Sequence, residues 1–297
     1  MNDLLKLKWG SQVVLPSSRA LAETPHFIGG RYPCRSVAYI PRQILSSIKR
    51  RKKNLVVLDP FMGSGTTAIE AALASCEVLG VELDPYARLI ATVSTTKLSR
   101  MKIQGLEDCL RRITHNVEST APLASVKPSL KNLEYWFSRN NFIKLWKLRT
   151  CIKKYSPSRD IEALLLAAFG DIIRACSKAE RQSLKPYISK KFTKVSRDAY
   201  AEYFRIARKY MDAAKKNGQN AQSGIRWLRG DATSFTTPVK VDIAITSPPY
   251  INAMDYTRCI KLESSWVGTA DDEVIKTVKA GQLGEASRRK ADRKSVV

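Results

Sequence analysis

A short turn, Ser247-Pro248-Pro249-Tyr250, carries side chains well suited to chemistry. It follows an apolar run at 241–245 that is typical of a buried strand. Two consecutive prolines end the strand, because neither can donate to a ladder and each holds the preceding residue extended. Open α/β sheets bind ligands at the carboxyl ends of their strands, where this turn would present a hydroxyl, a fixed carbonyl and an aromatic ring. On these residues alone, an ordinary proline-rich turn would look the same.

A glycine-containing loop follows another apolar run, at 55–58, which we predict to be the first strand of the sheet. The loop reads DPFMGSGTT over 59–67 and leads into an alanine-rich helix. Gly63 and Gly65 allow a tight turn and a close approach of the backbone to a ligand, and the start of the helix offers unpaired N–H groups. Gly63-x-Gly65-x-x-Ala68 matches a dinucleotide fingerprint, whereas the absence of Gly-Lys-Ser/Thr excludes a Walker loop.

An acidic residue lies at the tip of the next predicted strand, 78–81. This strand runs into Glu82-Leu83-Asp84-Pro85, and a carboxylate in this position commonly holds the two hydroxyls of a ribose. Further strands are predicted at 225–228, shortly before Gly230-Asp231, and at 241–245. Strands and helices in this arrangement indicate an α/β fold.

The turn and the two strand ends together resemble the amino-group DNA methyltransferases, which use S-adenosylmethionine to methylate the exocyclic nitrogen of cytosine or adenine. The resemblance rests on SPPY at 247–250, DPFMGSGTT at 59–67 and GVELDP at 80–85. It implies a Rossmann-like class I methyltransferase sheet. In this family the serine form of the motif goes mostly with cytosine N4, and the Asp or Asn form with adenine N6, so cytosine N4 is favoured here.

The resemblance also implies roles at the catalytic turn. An exocyclic amine is a poor nucleophile because its lone pair is delocalised into the ring, so it must be both polarised and aligned for attack. We predict that Ser247 Oγ and the Pro248 carbonyl accept its two hydrogens, with Pro249 holding that carbonyl in place. Tyr250 is expected to stack on the target base after the base leaves the duplex.

Cofactor binding is expected in the first half of the chain. The predicted cofactor-binding residues are Asp59, Phe61, Gly63, Ser64, Gly65, Thr66, Glu82 and Asp231. By resemblance, Glu82 binds the ribose, and Asp231 lies near the adenine amino group. A segment before the first strand, beginning at Arg31-Tyr32-Pro33, is expected to pack over the methionine part of S-adenosylmethionine.

The charge of the chain is strongly positive, with a formal net charge of +24. Residues 100–220 show helical spacing without strands and hold 26 Lys and Arg against 11 Asp and Glu. Such an excess favours a polyanionic partner, and we predict double-stranded DNA. Phosphate contacts are predicted from Lys178, Arg181, Lys185, Lys190, Lys191, Lys194 and Arg197.

Composition narrows the remaining possibilities. Six scattered cysteines without a CxxC pair and two histidines predict no metal site and a reduced, cytoplasmic chain. No apolar run is long enough for a membrane span. The predicted division is an N-terminal arm (1–30), a cofactor-binding half (31–99), a basic helical insert for target recognition (100–220), a catalytic half (221–268) and a polar basic tail (269–297).

The sheet is expected to be incomplete, because no strand pattern follows residue 268. The strand before Ser247 would then lie at an open edge, completed by a second chain, covered by a homodimer, or left open by truncation. The chain by itself is therefore expected to be poorly active or inactive, and a truncated or non-catalytic DNA-binding subunit that needs a partner chain is one alternative. Adenine-N6 methylation is the alternative for the target base. An RNA methyltransferase usually carries Asp at position 247, and a dehydrogenase explains neither the turn nor the charge.

Overall fold

The fold combines a small parallel sheet with helices. This computed structural model describes residues 8, 25–30, 32–191, 193–217, 224–249 and 254–282. The strands are β1 (Val56–Asp59), β2 (Glu77–Gly80), β3 (Arg226–Trp227) and β4 (Ile243–Ala244). The helices are α1 (Tyr39–Lys49), α2 (Thr66–Leu73), α3 (Pro85–Thr95), α4 (Arg100–Asn116), α5 (Arg139–Tyr155), α6 (Arg159–Cys176), α7 (Ala199–Asn217), α8 (Tyr256–Val267) and α9 (Asp272–Gly281). Short 3-10 helices lie at Pro25–Phe27, Ala124–Val126 and Leu133–Trp136. Of the described helices, none has the length and apolar character needed to cross a membrane.

The four strands are parallel, in the order β3-β2-β1-β4. β1 pairs with β2 along its whole length and with β4 at Val57↔Ile243 and Leu58↔Ala244. Val57 is fully buried, as expected for the centre of a parallel sheet with both faces covered. The predicted α/β, Rossmann-like methyltransferase fold is confirmed. Among the described residues β4 has a neighbouring strand on one side only, and the incompleteness of the sheet at its C-terminal end stays a prediction.

Helix α2 is anchored on three sides. Its N-cap is Gly65, whose φ of 85° is left-handed. An added Cβ would lie 2.7 Å from Ala91 Cβ on α3, so a side chain at this position would have neither the backbone angle nor the space it needs. Glu70 on α2 is buried and accepts hydrogen bonds from His26 Nε2 at 2.6 Å and Arg42 Nε at 2.7 Å. Burial acts to raise the pKa of Glu70, but the hydrogen bonds and charges of His26 and Arg42 together outweigh it, and the pKa is lowered. The ion pairs tie α2 to α1 and to the 3-10 helix before it.

The helical insert, α4–α7, shares one hydrophobic core with α3 and α8. Phe169 of α6 lies 6.2 Å, between ring centroids, from both Tyr203 of α7 and Trp266 of α8. All three side chains are completely buried. This shared core therefore places the insert against α8, the helix that follows the SPPY motif in sequence. The predicted helical character of 100–220 therefore corresponds to helices packed onto the sheet-bearing part of the chain.

Helices α6 and α3 approach each other closely at Gly170. A Cβ at this position would lie 2.4 Å from the hydroxyl oxygen of Tyr86, which is 2% exposed. Tyr86 follows Pro85 at the start of α3, where Asp84 caps the helix by accepting from the backbone N–H groups of Tyr86 and Ala87. The glycine thus allows the insert to contact the helix that begins directly after the acidic tip of β2.

Candidate functional site

A cavity of about 450 Å³ opens at the carboxyl ends of β1, β2 and β4. The structure brings together here most of the residues that the sequence predicted for cofactor binding and catalysis. The lining includes Asp59, Phe61, Gly63, Ser64, Thr66, Glu82, Asp231, Ser247 and Pro249. Gly65 and Pro248 are not among the lining residues, and Tyr250 lies outside the described residues.

Glu82 connects the glycine loop to the start of α3. Its Oε2 accepts from the backbone N–H of Gly63 at 2.7 Å, and its Oε1 accepts from that of Asp84 at 2.8 Å. Burial in the cavity wall, with a further contribution from the Asp84 carboxylate, raises the pKa of Glu82 to about 7. The carboxylate therefore lies where a ligand would meet it and changes charge close to neutral pH.

Asp59 connects the glycine loop to the turn that contains Ser247, a contact that the sequence did not reveal. It is 3% exposed at the end of β1 and accepts from the Phe61 backbone N–H at 3.1 Å. The same oxygen accepts from Thr246 Oγ1 at 2.7 Å, and Thr246 immediately precedes Ser247. Burial raises the pKa of Asp59 although hydrogen bonds from Thr246 and Thr67 oppose the shift. The position of the turn is thereby set from β1 as well as from β4.

Asp231 belongs to a tight turn after β3. Its Oδ1 accepts from the backbone N–H of Thr233 at 2.8 Å and from Ser234 Oγ at 3.1 Å. Gly230, with φ of 98°, starts the turn, and an added Cβ would lie 2.2 Å from the Ser234 carbonyl oxygen. The carboxylate of Asp231 lines the cavity, and its hydrogen bonds also stabilise the turn that contains it.

The lining also includes residues outside the predicted cofactor-binding set. Tyr32 and Pro33, in the segment expected to pack over the methionine part of the cofactor, border the cavity together with residues 34–36. Asp255 and Tyr256, at the start of α8, border it as well and had no predicted role. Asp255 caps α8 by accepting from the Arg258 backbone N–H, and its other oxygen accepts from Lys279 of α9 at 2.9 Å. In the sequence, an aspartate at a potential helix start shortly after the SPPY motif was the signal that could have pointed to Asp255. Among the described residues, no group of His, Cys, Asp and Glu could hold a metal ion.

The basic loop, residues 177–197 between α6 and α7, contains all seven predicted DNA contacts. Lys185, Lys190 and Lys191 are exposed. Lys194, in contrast, is half-buried and donates to three backbone carbonyls at 2.7 to 2.8 Å. Arg197 forms an ion pair with Glu202 at 2.6 Å. Lys194 and Arg197 thus take part in holding the loop, while contact with DNA stays a prediction for the whole set.

The remaining two predicted DNA contacts, Lys178 and Arg181, lie near the beginning of the loop and are both half-buried. Lys178 Nζ lies 5.9 Å from the ring centroid of Tyr135, within the range of a cation–π interaction. The Lys178 backbone N–H donates to the Trp136 carbonyl at 2.7 Å, which ties the loop to the segment before α5.

Comparisons with known proteins agree with this arrangement. Residues 18–92 match a family model described as DNA methylase of the N6/N4 type. Over 270 residues the chain is 25% identical to the Type II methyltransferase M.MvaI of Kocuria varians, an alignment that covers 82% of this chain and 58% of that protein. Over 107 residues it is 32% identical to the Type II methyltransferase M.MjaII of Methanocaldococcus jannaschii, covering 35% of this chain and 19% of that protein.

The chain therefore spans little more than half the length of the first relative and a smaller share of the second. No solved structure matches it significantly. The family-model match covers the first two strands and the glycine loop between them, and the longer similarity extends over most of the described residues. Together with the parallel sheet, these similarities support an amino-methyltransferase of the N4/N6 family.

Proposed function

We propose that this chain is an S-adenosylmethionine-dependent, site-specific DNA methyltransferase that acts on the exocyclic amine of a flipped base, with cytosine N4 as the favoured position. The observation that carries the proposal is the shared cavity, in which Glu82 and Gly63 lie together with Ser247. Its volume of about 450 Å³ falls within the range of small-molecule sites. The similarity to two Type II methyltransferases supports the same activity.

The cavity fits the proposed cofactor by the chemistry of its lining. Glu82 carries carboxylate oxygens that could accept from two ribose hydroxyls, in addition to the backbone N–H groups that they already bind. Gly63 adopts φ of 53° at the cavity wall, and without a Cβ its backbone can come close to a ligand. S-adenosylmethionine supplies an electrophilic methyl group on a sulfonium, and the chain has to orient the amine that receives it.

The catalytic turn would orient this amine. Ser247 is exposed on the cavity wall, where its Oγ would accept one amine hydrogen. The carbonyl of the neighbouring Pro248, which is also exposed, would accept the other. With both hydrogens held, the nitrogen lone pair would be free for in-line attack. Bound S-adenosylmethionine would supply the methyl group and leave as S-adenosylhomocysteine, and the proton released from the amine would pass to solvent. Ser247 acts as a hydrogen-bond acceptor and needs no charge for this role.

Two observations bear on the alternatives. By resemblance, serine at position 247 favours cytosine N4 as the methylated atom. Adenine N6 is also an exocyclic amine and could be held by the same two acceptors, although adenine is a larger base. The single-sided pairing of β4 among the described residues favours a second candidate, a DNA-binding subunit that needs a partner chain for catalysis. The two candidates differ in what the isolated chain can do.

The test is methylation of DNA by the purified chain, with nucleoside mass spectrometry to identify the product. We expect N4-methylcytosine, with Ser247→Ala abolishing product while calorimetry shows unchanged S-adenosylmethionine binding. Ser119→Ala, at an exposed serine after α4, is the matched control and should keep full activity. N6-methyladenine would select the alternative base. Binding of cofactor and DNA without product would select the subunit, and absence of cofactor binding would refute the proposal.

A further inference from the structure

A buried arginine joins the basic loop to the helix that follows the catalytic turn. Arg174, in the last turn of α6, is 3% exposed. It donates through Nη2 to the Cys259 carbonyl of α8 at 2.7 Å and through Nη1 to the Ser183 carbonyl of the loop at 3.2 Å. Its Nε lies 3.4 Å from Oε1 of Glu263 on α8, which is equally buried. Removing one member of such a pair would leave a buried charge, so breaking this connection is costly.

A second cation holds the other end of the same loop. Lys194 Nζ donates to the carbonyls of Arg174, Ser177 and Ala179, at 2.7, 2.8 and 2.7 Å. These carbonyls lie at and just beyond the C-terminus of α6, where cations also interact favourably with the helix dipole. The stretch between Ala179 and Lys194 is therefore held at both ends by cations, Arg174 and Lys194, that donate to backbone carbonyls of the protein itself.

Lys185 lies between these two anchors, two residues after Ser183, and it lines the cavity that contains Ser247. Its side chain is exposed, and its ammonium forms no hydrogen bond or salt bridge with a residue that the structure describes. The other cation of the lining, Arg35, is half-buried and donates to the Ile28 carbonyl at 3.2 Å. Lys185 is thus the accessible positive charge of the lining.

Apart from Arg35, the other charged residues of the lining are acidic, which indicates a role for the Lys185 ammonium. Asp59, Glu82, Asp231 and Asp255 make the cavity rich in carboxylates. A DNA strand that enters with a flipped nucleotide brings phosphates close to these groups and is repelled by them. An ammonium held at the opening offsets this repulsion and fixes the register of the strand.

We infer that Lys185 binds the phosphate next to the flipped nucleotide, and that Arg174 is a positioning residue that holds Lys185 at the cavity. The inference rests on the proposed function and makes it more specific. It separates Lys185 from Lys190 and Lys191, which are also exposed but do not line the cavity. These two lysines would contribute to affinity without a direct effect on the extruded base.

The test compares Lys185→Gln with Lys190→Gln on a duplex that carries one mismatched fluorescent base, which is extruded at low cost. Each variant should lower the slope of log K against log salt by about one. Only Lys185→Gln should reduce the extrusion equilibrium, by about tenfold, since one charge-assisted contact is lost. A methylphosphonate beside the mismatch should weaken extrusion by the wild type and leave Lys185→Gln unaffected. Arg174→Lys should reproduce part of the Lys185→Gln loss.

Three results decide the matter. Equal extrusion by the two glutamine variants would overturn the inference while leaving DNA binding intact. Weaker binding of S-adenosylmethionine by Lys185→Gln in the absence of DNA would also overturn it, because the ammonium would then hold the cofactor carboxylate. No binding of duplex by the wild-type chain would refute the proposed function itself, and the inference with it.

Discussion

Replacing Glu82 by Gln should remove a pH dependence of S-adenosylmethionine binding that the wild-type chain shows near neutrality. In the wild type, burial raises the pKa of Glu82 from its ordinary 4.5 to about 7. If the ionised carboxylate accepts from the ribose hydroxyls, protonation weakens binding. At pH 6 about one tenth of the chains carry the ionised form, so the affinity should be roughly tenfold lower than its limit at high pH, or ~1.4 kcal/mol.

The raised pKa of Glu82 also makes the free energy of unfolding depend on pH in the absence of ligand. Because the pKa of Glu82 is higher in the folded chain than in the unfolded chain, the folded state binds the proton more tightly between pH 4.5 and about 7. The free energy of unfolding therefore falls as the pH rises through this window and stays level above it. Cofactor binding should recover part of this loss, because it favours the ionised form.

Calorimetric titrations from pH 6 to pH 8 measure the affinity, and the Glu82→Gln variant is the control. Glutamine keeps the size of the side chain but does not titrate, so subtracting its profile removes the titration of the ligand and of Asp59 and Asp84. We expect the slope of log K against pH to rise from about 0.5 at pH 7 to roughly 0.9 at pH 6, in the wild type only. Equal profiles for the two proteins would refute both the ribose role and the ionisation on which it depends.

Three further substitutions test the packing and the anchors around the site. Gly170→Ala should destabilise the chain by about 1–3 kcal/mol in urea unfolding, because the new methyl group would overlap a buried tyrosine hydroxyl. Gly105→Ala, inside α4, should be neutral or stabilising, because its Cβ would make ordinary van der Waals contacts at 3.4 Å and 3.7 Å. Thr246→Val should lower the methylation rate at saturating cofactor far more than cofactor affinity, since the catalytic turn loses its hydrogen bond to β1, and Thr246→Ser should restore the rate. Lys194→Met should cost about 2–3 kcal/mol because three carbonyls lose a charged donor, and Lys190→Met should leave the unfolding midpoint unchanged. A stable Lys194→Met variant would show that the loop is held by other contacts.

The local sequence determined the elements that carry the site. Apolar runs with high strand propensity predicted β1 and β2 close to their observed positions. Such short continuous apolar runs are typical of parallel strands that are buried on both faces. Two glycines predicted the loop after β1, and Gly65 has the left-handed backbone that this loop requires. Ser247 and Glu82 both lie in the predicted cavity at the strand ends, because parallel strands place their carboxyl ends at one edge.

Contacts between distant parts of the chain were decided only by the tertiary structure. Asp59 and Thr246 are 187 residues apart, and no periodicity relates them. In the same way, charge alone predicted Lys194 and Lys185 as equivalent phosphate contacts, although one ammonium is surrounded by carbonyls and the other faces the cavity. A sequence records residue type and local spacing, whereas the partner of a side chain depends on which elements pack against it. Hydrogen-bond partners and burial therefore separate the two lysines, and only the fold supplies them.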